Sequence, residues 1–218
     1  MCSVTQLDVS HNTKLETLKV VQNELSEIDV SHNTALTTLS LSNNQLSTID
    51  ISQNKALTSF SIASNHLTSI DLSANTELTT LDVGANRLGT IDLSHNTQLK
   101  TLDLFGCNLS EIDLSKQEQL ETLDLSSNKF TTLDLSHNTQ LKTLDVNSNK
   151  SLKIVDVSAN RLLERLNVGT MDLTSLDVTH NPQLKTLEAQ QNKLTEIDLS
   201  QNTALTSLYL MWNDIQQI

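Results

Sequence analysis

The chain has 218 residues and a formal net charge of −12, with 4 Gly, 1 Pro, 3 Phe, 1 Tyr and 1 Trp. The acidic balance argues against nucleic acid and anionic membrane surfaces as partners, because holding phosphates requires a basic patch. Leu, Ile and Val are too frequent and too evenly spaced for a disordered chain, and no apolar run reaches the roughly 20 residues that span a bilayer.

Read from the N-terminus, the chain repeats itself almost without interruption. A partial unit covers 1–14, full units begin at Leu15, Leu36, Leu57, Leu78, Leu99, Leu120, Leu141, Leu163 and Leu184 and run to 204, and a second partial unit covers 205–218. Each spacing is 21 residues, except that from Leu141 to Leu163, which is 22 because of an extra residue near Lys150–Ser151. The unit reads LxxLxLxxNxLxxIDLSxNxx, and its two halves are variants of one phrase.

Within each unit the phrase LxxLxL predicts a short strand with one buried face, since its apolar positions alternate. These strands fall in turn at 15–20, 36–41, 57–62, 78–83, 99–104, 120–125, 141–146, 163–168, 184–189 and 205–210. The IDL phrase alternates in the same way and is expected to be extended too, or turn-like. Little or no α-helix is expected. One such coil cannot bury its own apolar positions, so coils must stack on their neighbours. Six apolar positions per unit over about ten coils predict on the order of 60 buried side chains, each contributing roughly 1.5–3 kcal/mol.

Two rows of asparagine mark the bends. One contains Asn23, Asn44, Asn65, Asn86, Asn128, Asn149, Asn192 and Asn213, and the other Asn12, Asn33, Asn54, Asn75, Asn96, Asn138, Asn160, Asn181 and Asn202. A bend strands backbone polar groups, and an amide side chain can both donate to and accept from them, so an asparagine ladder is expected. Cys107 and Cys2 fall in the first row, separated by about 24 Å at about 4.8 Å per coil, which is too far for an intrachain disulfide. His11, His32, His95, His137 and His180 share one turn position and read as exposed polar residues. The aspartates of the IDLS phrase, from Asp8 to Asp198, are expected to be offset by hydrogen bonds to neighbouring Ser or Thr hydroxyls or to backbone N–H groups.

The motif LxxLxLxxNxL resembles leucine-rich repeat proteins over nearly the whole chain. More narrowly, the nested 21-residue form is similar to the bacterial IRREKO-type, internalin J-like repeats. The resemblance implies a single leucine-rich repeat solenoid over 1–218, with a parallel sheet on a concave face and a turn-like convex side. It also implies a bacterial source and often a surface or secreted role. No charged-then-apolar leader opens the chain, so the compartment is open: cell surface or extracellular if the chain derives from a secreted parent, otherwise cytoplasmic.

Residues between the strand leucines face outward in this fold, and here they vary. The candidate partner-binding residues are Asp82, Asp103, Phe105, Asp124, Asp145, Glu188, Tyr209, Met211 and Trp212. The four aspartates favour a basic partner surface. Tyr209, Met211 and Trp212 are of the types enriched at binding hot spots, or else shield the last coil from water. The expected function is protein binding, with a structural or self-assembling segment as the alternative, since both ends lack a polar cap. No catalytic spacing, metal set or cofactor motif is found, so neither an enzyme nor a cofactor is expected.

Overall fold

The computed structural model describes residues 3–216. Met1, Cys2, Gln217 and Ile218 lie outside them, and with them the placement of Cys2 in the first asparagine row. The described residues form ten three-residue strands and no helix: β1 Thr17–Lys19, β2 Thr38–Ser40, β3 Ser59–Ser61, β4 Thr80–Asp82, β5 Thr101–Asp103, β6 Thr122–Asp124, β7 Thr143–Asp145, β8 Arg165–Asn167, β9 Thr186–Glu188 and β10 Ser207–Tyr209. They belong to two compact units, 1–108 and 109–218.

In the first unit β1 to β5 pair in parallel, in sequence order, with each residue opposite its repeat equivalent, as Leu39 is opposite Phe60. In the second, β6 to β10 do the same. In β2 to β7 and in β9 the strand centre is buried and its flanks are half-buried, because alternate side chains of a strand point to opposite faces. Leu39, Phe60, Leu81 and Leu102 are fully buried, as are Leu123 and Leu187. Past the strand the ladder continues through Val20 N–H to Ser40 O (2.8 Å) and Leu41 N–H to Ser61 O (2.8 Å). Register survives the 22-residue unit, since Thr143 still faces Arg165. The extra residue is absorbed in a turn at 150–151, closed by Leu152 N–H to Asn149 O (3.0 Å), and Ile154 holds the repeat place of the exposed Glu27 and Thr48, where it is 76% exposed.

The IDL phrase forms no strand in the first unit. It runs into consecutive tight turns, such as Asn33 N–H to Val30 O (3.0 Å) and Leu36 N–H to Asn33 O (3.1 Å). Residues two apart in a bent chain no longer share a face, which corrects the expected count of six core positions. In the coil beginning at Leu36, Leu36, Leu39, Leu41, Leu46 and Ile51 are buried, whereas Ile49 is half-buried. Ile28, Ile70, Ile91, Ile112 and Leu133 behave like Ile49, and only Val155, Leu176 and Ile197 regain full burial.

The asparagine ladder is present and its two rows differ. In the first, Asn65 donates to Leu41 O of the preceding coil (3.0 Å) and to Ile62 O of its own (2.9 Å), while its Oδ1 accepts Leu46 N–H (2.9 Å). In the second, Asn54 donates to Val30 O (3.0 Å) and Asn33 O (2.9 Å) of the preceding coil. The Oδ1 atoms of Asn33, Asn54, Asn75, Asn160 and Asn181 are buried and accept nothing. Row one therefore satisfies donors and acceptors together, whereas these row-two side chains bond the protein through Nδ2 alone. Gln117 fills a row-two place the Asn pattern does not predict, and it is buried.

Cys107 and Met171 interrupt row one. The buried Cys107 thiol donates to Val83 O (3.3 Å), and burial pushes its pKa up to about 11, so it remains a protonated, inert thiol. In both coils the following residue, Asn108 (φ 64°) or Asp172 (φ 61°), adopts the left-handed conformation. Losing the amide thus reshapes the turn.

Asn65→Ala is expected to destabilise the protein by about 2–3 kcal/mol in urea denaturation, because it leaves Leu46 N–H buried and unpaired. His66→Ala, one residue further on and exposed, should change stability by less than about 0.5 kcal/mol.

Candidate protein-binding surface

The third residue of each strand and the residues two and three positions after it form the outward strand face. In the first unit the third residues run Lys19, Ser40, Ser61, Asp82 and Asp103. Ser61 Oγ donates to Asp82 Oδ2 (2.8 Å), and Asp82 Oδ1 accepts Gly84 N–H (3.2 Å). Asp103 Oδ1 accepts Phe105 N–H (2.9 Å). Gly84 keeps this spot open: a Cβ there would meet Asp103 Oδ1 at 3.0 Å. Phe105 projects with 44% of its surface exposed.

In the second unit the row is Asp124, Asp145, Asn167, Glu188 and Tyr209. Asp124 Oδ1 accepts Ser126 N–H (2.8 Å). Asp145 accepts Asn147 N–H (2.9 Å) and Asn147 Nδ2 (2.7 Å) on Oδ1, and Asn167 Nδ2 (2.9 Å) on Oδ2. Burial, joined by the like charge of Asp124, outweighs these bonds and raises the Asp145 pKa above the usual carboxylate range. Glu188 pairs with Arg165 (3.2 Å). Tyr209, Met211 and Trp212 are 44%, 52% and 71% exposed.

All nine candidate residues therefore lie on the outward strand face, in two groups. Asp82, Asp103 and Phe105 belong to the first unit, and Asp124, Asp145, Glu188, Tyr209, Met211 and Trp212 to the second. The carboxylates of Asp82, Asp103, Asp124 and Asp145 each hold the backbone N–H two residues on, so they shape the turn as well as carry charge. The IDLS aspartates make the same bond, as in Asp29 Oδ1 with Ser31 N–H (2.8 Å). LDV and IDL hold equivalent places in the two halves of the repeat, so the same bond recurs in both, although the sequence alone predicts it only for the IDLS aspartates.

The leucine spacing does not reveal a backbone rule. The residue before each row-one place has positive φ: Gln22, Asn43, Ser64, Ala85, Gly106, Ser127, Ser148, Thr170, Gln191 and Trp212. The outward face is thus not free at these ten places, since a non-glycine residue held left-handed costs roughly 1–2 kcal/mol. Trp212, at φ 57°, carries that strain with an exposed indole. The repeated histidines are exposed turn residues whose Nδ1 meets the preceding hydroxyl, as in His11 with Ser10 Oγ (3.0 Å). Among the described residues no three His, Cys, Asp or Glu side chains converge as a metal site would require, and no helix is long and apolar enough to cross a membrane.

Parallel strands on one side, turns on the other and an asparagine ladder between them define a leucine-rich repeat solenoid, and the chain is an internalin-like leucine-rich repeat protein. Residues 35–55, 98–116 and 119–137 match one leucine-rich repeat family model, and 201–217 match another. The fold is similar to the functional domain of internalin J from Listeria monocytogenes, described as including a cysteine ladder, at 36% identity and a TM-score of 0.95, over 99% of this chain and 48% of that one. It is also similar to the leucine-rich repeat protein LIC12759 of Leptospira interrogans (26% identity, TM-score 0.90, 95% of this chain and 57% of that one). Internalin F of Listeria monocytogenes shares the fold at 23% identity (TM-score 0.87, 96% and 68%). The chain thus spans about half the length of the first two. No curated protein matches the sequence. With 2 cysteines, this chain builds its ladder from asparagine instead.

The bonds from Ser or Thr hydroxyls and N–H groups lower the pKa of Asp8, Asp29, Asp50, Asp71, Asp113, Asp134, Asp156, Asp177 and Asp198 below the ordinary carboxylate value. A group whose folded pKa is depressed stabilises the fold above its unfolded pKa and loses that contribution as pH falls through the folded value. The melting temperature should therefore drop steeply below about pH 4, and Asp50→Asn should flatten the drop. Asp145 has the opposite sign, so Asp145→Asn should raise stability at neutral pH and have little effect in acid. Calorimetry across the acid range reads both.

Proposed function

We propose that the outward strand face is a rigid display surface that binds a protein partner, without catalytic chemistry of its own. Leucine-rich repeat solenoids commonly serve as protein-interaction modules, which supports this class of function. The observation that carries it is the exposure of Tyr209, Met211 and Trp212 (44%, 52% and 71%) beside the last strand of the second unit. Aromatic and Met side chains are large, amphipathic anchors that gain most when a partner desolvates them. The backbone that presents them is already fixed by the ladder, so little conformational entropy is lost on binding. Asp124 and Glu188 in the same unit, and Asp82 and Asp103 in the first, favour a partner with Lys and Arg around an apolar patch. Phe105 is the corresponding apolar anchor of the first unit.

Immobilised Lys/Arg-rich peptides with an apolar centre are the probe. Tyr209→Ala with Trp212→Ala should weaken retention of such peptides at least about tenfold while the circular dichroism spectrum and melting temperature hold. If the double variant unfolds, the two residues serve as a cap and the proposal fails. Trp212→Gly separates the roles: it relieves the left-handed strain, so it should raise stability by about 1 kcal/mol and still weaken binding.

A further inference from the structure

One turn of the second unit breaks the acidic character of the chain. It follows the row-one place of the 22-residue coil, where Lys150, Ser151, Lys153 and Ile154 are all exposed. Packing in the core does not call for these side chains. The repeat place of Lys153 holds Thr131 and Thr174 in the coils on either side, and that of Ile154 holds Thr132 and Ser175. Lone exposed aliphatic residues are common on protein surfaces. Ile154 differs in degree and in company: at 76% it is the most exposed large hydrophobic side chain among the described residues, and it stands beside a group of cations.

Those cations are held in place. Lys153 Nζ donates to Lys150 O and to Met171 O (3.5 Å), which draws it toward the next coil. There Asp172 lies between Lys193 (3.0 Å) and Lys153 (3.8 Å). The bond from Lys193, with Lys153 and Lys150 close by, keeps the Asp172 carboxyl below the ordinary carboxylate value. Lys129 occupies the repeat place of Lys150 one coil earlier, roughly 4.8 Å away along the stack. All four lysines are exposed. Among the described residues Lys129 and Lys150 make no ion pair. The strip therefore carries more positive than negative charge on a chain whose total is −12.

We propose that this strip, formed by Lys129, Lys150, Lys153, Lys193 and Ile154, docks a short acidic segment of another protein that carries an apolar side chain among its carboxylates. It lies past the row-one bend and has the opposite charge to the outward strand face, so it is a second surface beyond the binding reading above. Charge complementarity sets the sign of the partner. Ile154 sets its class, because an aliphatic side chain gains only from an apolar contact, which a sulfated or phosphorylated polymer does not offer. Asp172 fixes Lys153 and Lys193 before a partner arrives, which lowers the cost of ordering them. The net charge of the chain does not forbid the contact: the Debye length at physiological ionic strength is about 8 Å, so carboxylates farther off are largely screened. Asp156, two residues beyond Ile154, borders the strip and restricts it to a short segment.

Fluorescence anisotropy of a labelled Asp/Glu-rich peptide with a central Leu reads the contact. A matched peptide with Ser in place of that Leu should bind at least about threefold more weakly. Lys150→Glu with Lys153→Glu should weaken the Leu peptide at least about tenfold, and Ile154→Ser about threefold. Melting temperature should hold in both, since the three side chains are exposed. Lys55→Glu with Lys100→Glu, exposed in the first unit, makes the same change in net charge and should alter binding less than about twofold. If the strip double variant melts early, Lys129→Glu on the preceding coil replaces it, with a loss of about threefold expected. A Leu peptide that does not bind at concentrations up to about 1 mM overturns the proposal. So does an equal loss in the first-unit pair, or equal binding of the Leu and Ser peptides. Heparin or phosphatidylserine vesicles held as tightly as the Leu peptide, with Ile154→Ser without effect, would make the strip a general polyanion site and also overturn it. A dimer in sedimentation velocity that the strip double variant abolishes would make a second copy the occupant instead.

Discussion

The structure depends on the bond from an asparagine side chain in one coil to a backbone carbonyl in the coil before it. Leucines supply the apolar burial, but burial is indifferent to direction and would tolerate a slipped register. The row-one amide is not indifferent. In Asn65 it holds Leu41 O and Ile62 O with its two hydrogens and Leu46 N–H with its oxygen, so it fixes one coil against the next at a single offset. Because the bond is buried, its loss leaves several groups without water to replace it. The coil beginning at Leu163, where Met171 holds the row-one place, shows what the lattice does without it: the next residue, Asp172, turns left-handed and pairs with Lys193 (3.0 Å).

The bend itself shapes the surface. The residue before the row-one place is left-handed whether that place holds Asn, Cys107 or Met171, so one outward position per coil is chosen by backbone geometry as much as by any partner. The residues found there, among them Asn43, Gly106, Ser64 and Ala85, are mostly small or amide-bearing, and Trp212 departs from that preference. Aspartate serves a parallel purpose at the third strand residue, where its carboxylate holds the N–H two residues on. Charge on this face therefore comes with a structural duty, and Asp145 meets that duty deeply enough for burial to raise its pKa.

Scaffold and display are thus carried by different residues of one short phrase. Leu, Asn and the turn aspartates repeat because every coil needs them. Phe105, Asn147 and Tyr209 vary because only their carbonyls are used by the preceding coil, which takes them through Ala85, Ser127 and Ala189 N–H, while their side chains face outward. Similarity to bacterial leucine-rich repeat solenoids follows from the first set, which is why solved folds match over 95% or more of this chain at modest identity. In the proposed binding role, partner choice falls to the second set.

Sequence alone determined the period, the strand positions, the two asparagine rows and the identity of the outward residues, because each depends on local pattern and spacing. The strand centres, from Leu39 to Leu187, and the turn at Lys150–Ser151 lie where the spacing placed them. Only the tertiary structure decided that the isoleucine of IDL is half-exposed in the earlier coils, that Asn33 and Asn54 of row two bond the protein through Nδ2 alone, and that Gln117 substitutes for an asparagine. It also decided which residues carry positive φ and how far Asp145 is buried. Those properties depend on how a bent segment meets the coil beside it, and periodicity along one chain records spacing but not the angle at which neighbouring turns come together.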